Sequence, residues 1–225
     1  MKDDLVKRAQ LAREQLRRGE LRGDELRALI ESVPFVDRDP FVDELLELPP
    51  MPEDVELPRG AVPYLPCPVG DILTVIREAP IGQGDTFIDL GSGIGRVAIL
   101  VNLLVGVRAH GMEIQPHLVE LARGYAADLG LDRVSFECRD VREMPADRLH
   151  AEREAGLSDD QKMRFVLFLF APFNGEMLAS ALEAIGEFAR DRKVTVCAVS
   201  MELPDLPWLV RGPSASKTVS IFHSR

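Results

Sequence analysis

The run Phe87-Ile88-Asp89-Leu90-Gly91-Ser92-Gly93-Ile94-Gly95-Arg96 carries three glycines at alternate positions between two apolar stretches. Glycine lets a backbone turn tightly and approach a ligand with no Cβ in the way. A helix opening at that point directs unpaired N–H groups and a positive partial charge at the ligand. The chemistry implied is the binding of a nucleotide-like molecule at the carboxyl edge of a sheet. Two more acids extend the pattern. Glu113 ends the next strand-like run, 18 residues after Gly95, where a carboxylate can accept hydrogen bonds from both hydroxyls of a ribose. Asp140, in Cys138-Arg139-Asp140-Val141, follows a third such run, at a place where an adenine amino group could be met. Either acid alone reads first as a solvated loop residue. Together with the glycine turn they mark three consecutive strand ends.

The spacing selects among nucleotide ligands. A dinucleotide fingerprint is G-x-G-x-x-G, whereas this turn reads G-x-G-x-G and places Arg96 where the third dinucleotide glycine would stand. Asp89, two residues before the first glycine, could take up a positively charged group. Both features resemble motif I of the class I S-adenosylmethionine-dependent methyltransferases. The resemblance covers roughly residues 60–200. It implies that Asp89 approaches the methionine end, that Gly91 and Gly93 pass close to the ligand, that Glu113 holds the ribose and that Asp140 meets the adenine. Ser92, Gly95, Ile114 and Val141 fall beside them in the same implied cofactor wall. Upstream, Pro63-Tyr64-Leu65-Pro66-Cys67-Pro68 resembles the Y-x-P-[ST]-P segment of some protein-lysine methyltransferases outside the SET class. In that branch the segment passes over the cofactor, which assigns Tyr64 to cofactor binding. Cys67 stands where Ser or Thr is usual, and a rigid proline linker is the competing reading.

Methyl transfer is an in-line displacement in which the cofactor carries the reactivity and the protein aligns the nucleophile and excludes water. A fourth strand-like run ends Phe170-Ala171-Pro172-Phe173-Asn174-Gly175. Amino-methylating families often read [ND]-P-P-[YF] here. Ala171 replaces the polar residue, which argues against nucleobase and glutamine-amide acceptors. Ala171, Phe173 and Asn174 are the candidate substrate-binding residues; alternatively, Asn174-Gly175 only turns the chain and caps the next helix. No catalytic base is assigned. His110, His117, His150 and His223 have no ligand spacing, and His117 reads as a surface helix residue near Glu113. Cys67, Cys138 and Cys197 form no C-x-x-C pair, so neither a metal site nor a disulfide framework is expected.

The elements that must position these residues follow from periodicity. Residues 3–18 read as a charged helix with Leu5, Ala9, Ala12 and Leu16 on one face, and Asp24 as the cap of a second helix to about Ser32. Nine prolines between residues 33 and 68 predict an extended connector with one helical turn near Phe41–Leu46. Helices are then expected over Val69–Glu78, Arg96–Val105, 116–129 and Glu176–Arg190. Strands are expected over Asp85–Leu90, Arg108–Ile114, Arg133–Cys138, Arg164–Phe170 and Lys193–Ser200. Residues 142–163 read as polar and helical in parts. A final hairpin over Trp208–Arg225 would put Thr218–His223 at the sheet edge. This alternation predicts an α/β fold, a mostly parallel doubly wound sheet with helices on both faces. The expected division is an N-terminal helical cap and connector over residues 1–60 and a cofactor-binding domain over 61–225.

The 225-residue chain is 46% hydrophobic and 28% charged, a composition that excludes disorder, collagen-like and disulfide-scaffold classes. Its net charge of −10 disfavours large nucleic acids as partners. No run approaches the ~20 apolar residues of a membrane span, and no signal core opens the chain, so a cytoplasmic location is expected. The function expected is methyl transfer from S-adenosyl-L-methionine to a small molecule or a protein lysine. The alternatives are an NAD-dependent oxidoreductase and a catalytically degenerate binding module.

Overall fold

The computed structural model describes residues 2–49, 56–144 and 164–225. The first helix, α1 (Lys2–Arg17), buries Ala9, Ala12 and Leu16, the stripe its periodicity predicts. α2 (Gly23–Glu31) follows Arg22 at its N-cap with no side-chain cap. Asp24 therefore lies inside the first turn, not at the cap, where its charge favours the helix dipole. A 3-10 turn over Phe35–Asp37 leads into α3 (Arg38–Leu46), which buries Phe41, Val42, Leu45 and Leu46. α3 is longer than the single turn expected. Pro40 does not break it, because a first-turn residue has no intrahelical partner for its N–H.

From residue 69 the alternation is regular: α4 (Val69–Glu78), β1 (Thr86–Leu90), α5 (Arg96–Val105), β2 (Arg108–Glu113), α6 (Pro116–Asp128), β3 (Val134–Cys138), β4 (Phe165–Phe170), α7 (Gly175–Ala189), β5 (Val194–Val199), β6 (Leu209–Arg211) and β7 (Val219–Ser224). The sheet order is β3-β2-β1-β4-β5-β7-β6. The first five strands are parallel, and β7 joins β5 and β6 antiparallel. The expected edge position of 218–223 is thus corrected: β7 is interior and β6 is the edge. β7 buries four consecutive side chains, whereas β6 buries only Leu209. Part of the polar 142–163 stretch, residues 145–163 with His150, lies outside the described residues.

Alternate strand residues feed two cores, as the pleat requires. On β4, Phe165, Leu167 and Leu169 join α7 in one cluster, and Val166 and Phe168 join the other, which also contains α1–α6. α5 explains the N-terminal helices. Its sequence RVAILVNLLV is apolar all round, and nine of its ten residues are buried, which demands cover on its outer side as well as against the sheet. α2 and α4 supply that cover. Among the described residues no helix is long and apolar enough to cross a membrane.

Candidate functional site

The parallel strands β1, β2 and β3 end side by side, and their carboxyl ends bring Gly91, Glu113 and Asp140 to one cavity of about 230 Å³. The glycine turn is held by backbone bonds from Gly91 N and Ser92 N to the Met112 carbonyl, 2.8 and 3.0 Å, and from Gly95 N to the Ser92 carbonyl, 2.8 Å. All three glycines have positive φ. A Cβ on Gly93 would run into the Tyr64 ring, and one on Gly91 would come within 2.6 Å of the Pro172 Cβ. The turn is thus closed over by Tyr64 from one side and Pro172 from the other. Gly95 serves packing instead, meeting Phe136 and Ala122 where α6 and β3 approach.

The three acids are held differently. Glu113 is buried, and its two oxygens each accept one backbone N–H, Oε2 from Gly93 and Oε1 from Gln115, both at 2.9 Å. A carboxylate offers about four lone-pair sites, so both oxygens keep capacity toward the cavity. Asp140 accepts the Arg142 N–H at 2.9 Å and the Arg142 guanidinium at 2.5–3.0 Å. These bonds hold its carboxyl below the usual range against its partial burial. Asp89 is 2% exposed, and Oδ2 has no hydrogen-bond partner. Burial and the neighbouring Glu113 push its carboxyl up to about 8, opposed by the Ala98 N–H of α5.

The rest of the wall comes from segments whose meeting the sequence did not announce. Residues 60–62 run antiparallel to the loop after β4: Ala61 bridges Phe173, Val62 N donates to the Pro172 carbonyl at 3.1 Å, and Asn174 N donates to the Gly60 carbonyl at 2.8 Å. This strap carries Leu57, Val62, Tyr64 and Leu65 to the cavity, facing Phe170, Phe173 and Met177. Ala171 (φ 43°) and Ser200 (φ 54°) end β4 and β5 in the left-handed region and also line it. Two strained non-glycine residues at adjacent strand ends are typical of a working site.

Of the residues singled out from sequence, Tyr64, Gly91, Glu113, Ile114, Asp140, Val141, Ala171 and Phe173 line the cavity. Asp89, Ser92, Gly93 and Gly95 do not line it. Asn174 is exposed and sits at the α7 N-cap without a side-chain bond. His117 does not line the cavity. Gln115, Arg139, Pro172 and Ser200 were missed; each lies one or two residues past a strand end, and that closeness was the available signal. Of the ionisable side chains on the cavity, Glu113 and Asp140 accept backbone N–H groups, burial holds the Tyr64 phenol above its ordinary range, and Arg139 is paired with Glu137 at 2.6 Å. Among the described residues no cluster of three or more His, Cys, Asp or Glu could hold a metal ion.

Residues 81–154 match the family model of a methyltransferase domain. The uncharacterized protein MJ0284 of Methanocaldococcus jannaschii is 34% identical over 89 residues, 40% of this chain and 38% of that protein. The chain therefore spans well under half the length of this curated relative. A variant of MtNAS, solved with S-adenosylmethionine, overlays with a TM-score of 0.50 and 19% identity, covering 69% of this chain and 62% of that one. The Escherichia coli protein yhhF, assigned as a methyltransferase, overlays with a TM-score of 0.52 and 14% identity, covering 76% and 91%. At such identities these overlays concern the fold alone. The family match makes residues 81–154 similar to a methyltransferase domain, and the overlays show that the chain shares its fold with these solved proteins.

Proposed function

We propose that the protein transfers a methyl group from S-adenosyl-L-methionine to a nucleophile admitted under the strap at residues 57–65. The observation that carries this reading is the single cavity onto which Gly91, Glu113 and Asp140 converge from three adjacent strand ends. The donor set fits the cofactor. Glu113 would accept from the ribose hydroxyls, Asp140 and Val141 would face the adenine, and Asp89, with its unpartnered buried oxygen, would give up its proton as the cationic end of the cofactor binds nearby. Tyr64 would cover the ligand. When bound, the cofactor supplies an electrophilic methyl on a sulfonium.

The chain's own part is orientation and desolvation. Ala61, Val62, Phe170, Phe173 and Met177 give the acceptor half of the cavity an apolar lining. An amine entering it favours its neutral form, because burial disfavours the ammonium. The proton leaves to water before transfer, so no protein base is needed. A protein lysine or a small-molecule amine suits this lining. The net charge of −10 draws cationic acceptors and repels phosphate backbones. Cys67, Cys138 and Cys197 are unpaired, which supports a reducing, cytoplasmic setting. The dinucleotide alternative is weakened because Arg96, at the place of its third glycine, is buried and ion-paired.

Thermal unfolding with S-adenosylmethionine, S-adenosylhomocysteine and NAD in parallel tests the reading. Ligand at 100 times its Kd adds about 2.7 kcal/mol, a shift of roughly 5–11 °C for a domain this size. The adenosyl ligands should shift the transition and NAD should not. Glu113→Gln should weaken the adenosyl ligands by about tenfold or more, because an amide nitrogen then opposes a backbone N–H. A shift with NAD alone, or none with either adenosyl ligand, overturns the reading.

A further inference from the structure

Arg96 is the first residue of α5 and directly follows Gly95 of the glycine turn. It is only 3% exposed. A guanidinium at a helix N-terminus meets the positive end of the helix dipole, and a buried one without partners is strongly disfavoured. Its partners come from α3, more than fifty residues upstream. Arg96 Nη2 donates to Asp39 Oδ1 at 2.7 Å, and Arg96 Nε lies 3.5 Å from Asp43 Oδ1. The same Asp39 oxygen accepts the Val69 N–H that opens α4, at 3.0 Å. One carboxylate thus joins the starts of α4 and α5 to α3.

The junction reaches the cavity. Tyr64, whose ring covers Gly93, lies close enough to feel the charges of both Arg96 and Asp43. The glycine turn is therefore held at two ends. Upstream, Glu113 and the Met112 carbonyl take its N–H groups. Downstream, Arg96 ties it to α3.

We propose that Asp39 is a positioning residue of the cofactor site, acting through Arg96, so that α3 belongs to the frame of the site and not only to the packing of the fold. This rests on the methyltransferase reading above. A loosened Arg96 would free Gly95 and the start of α5 to move, and with them the wall behind Gly91 and Gly93.

The test is calorimetric titration of the full chain with S-adenosylhomocysteine. The variants are Asp39→Ala, Asp39→Asn, Arg96→Gln, the double variant Asp39→Ala/Arg96→Gln, and Arg13→Ala as control. Arg13 binds Glu44 and Glu47 and docks α1 on α3, so its loss loosens α3 against α1 without touching Arg96. Asp39→Asn keeps an acceptor for the Val69 N–H and removes the charge opposite Arg96. The Asp39 and Arg96 single variants should each weaken Kd by about tenfold or more at unchanged stoichiometry. The double variant should be no weaker than the worse single, the signature of one coupled pair. Arg13→Ala should stay within about twofold. Unchanged affinity in Asp39→Asn, single effects that multiply in the double variant, or a fall in stoichiometry at constant Kd would overturn the proposal. Absence of binding by the unaltered chain would overturn the methyltransferase reading itself, and this proposal with it.

Discussion

Asp89 and Glu113 are neighbouring buried carboxylates with opposite situations. Glu113 has a backbone donor on each oxygen, while Asp89 keeps Oδ2 without a partner and is pushed up to about 8. In the unfolded chain an Asp titrates near 3.9. Between that value and about 8, the folded protein holds a proton that unfolding releases. The stability that Asp89 contributes should therefore be greatest below pH 4, fall as pH rises through this window, and level off above it. Asp89→Asn should remove that part of the decline. Urea unfolding at pH 5, 7 and 9 measures it: the loss from pH 5 to 9 should be larger in the unaltered protein than in the variant. Equal losses would mean that Asp89 is already ionised at neutral pH. At the same scale, Gly91 and Gly93 show why the turn needs glycine beyond its positive φ. Pro172 and Tyr64 occupy the space that side chains there would need.

Among the elements, α5 organises the N-terminal half. Its apolar surface on every side requires α2 and α4 above it, and α1 in turn packs on α3. Leu16, fully buried in this layer, should be costly to truncate: Leu16→Ala is expected to lose about 2–5 kcal/mol, measured by chemical unfolding. A loss below 1 kcal/mol would mean that α1 contributes little to the fold. Much of this level was legible in the residues. Val69–Glu78 and Arg96–Val105 coincide with their helices because proline and glycine punctuate them sharply. α3 extends beyond the single turn expected because Pro40, one of the nine prolines that predict a connector, falls in a first turn. The Asp39–Arg96 pair is invisible to spacing, since its members lie far apart in sequence. Yet an arginine heading an otherwise apolar helix does signal that a carboxylate must come from elsewhere. The final hairpin was legible, but its order was not, because pairing preference depends on which strand can bury both faces.

At the scale of the whole molecule, one continuous core runs from α1 through α6 into the sheet, and α7 closes the second face. Trp208, the single tryptophan, packs against Gly186 in that second cluster. Its fluorescence reports one face, while far-UV circular dichroism weights the helices, most of which lie on the other. The two signals should lose native amplitude at the same denaturant concentration. Separated midpoints would show that the N-terminal layer unfolds alone.

The interior place of β7 has a consequence for how the protein is made. On a ribosome, β1 to β5 emerge first and can assemble as an open sheet, with the backbone groups along one side of β5 awaiting residues 219–224. An unpaired strand of this kind is a template for association with other chains. Once β5 has formed, the nascent polypeptide therefore carries an adhesive margin until residues 219–224 seal it, and forms that lack those residues should be far more prone to aggregate than forms that contain them.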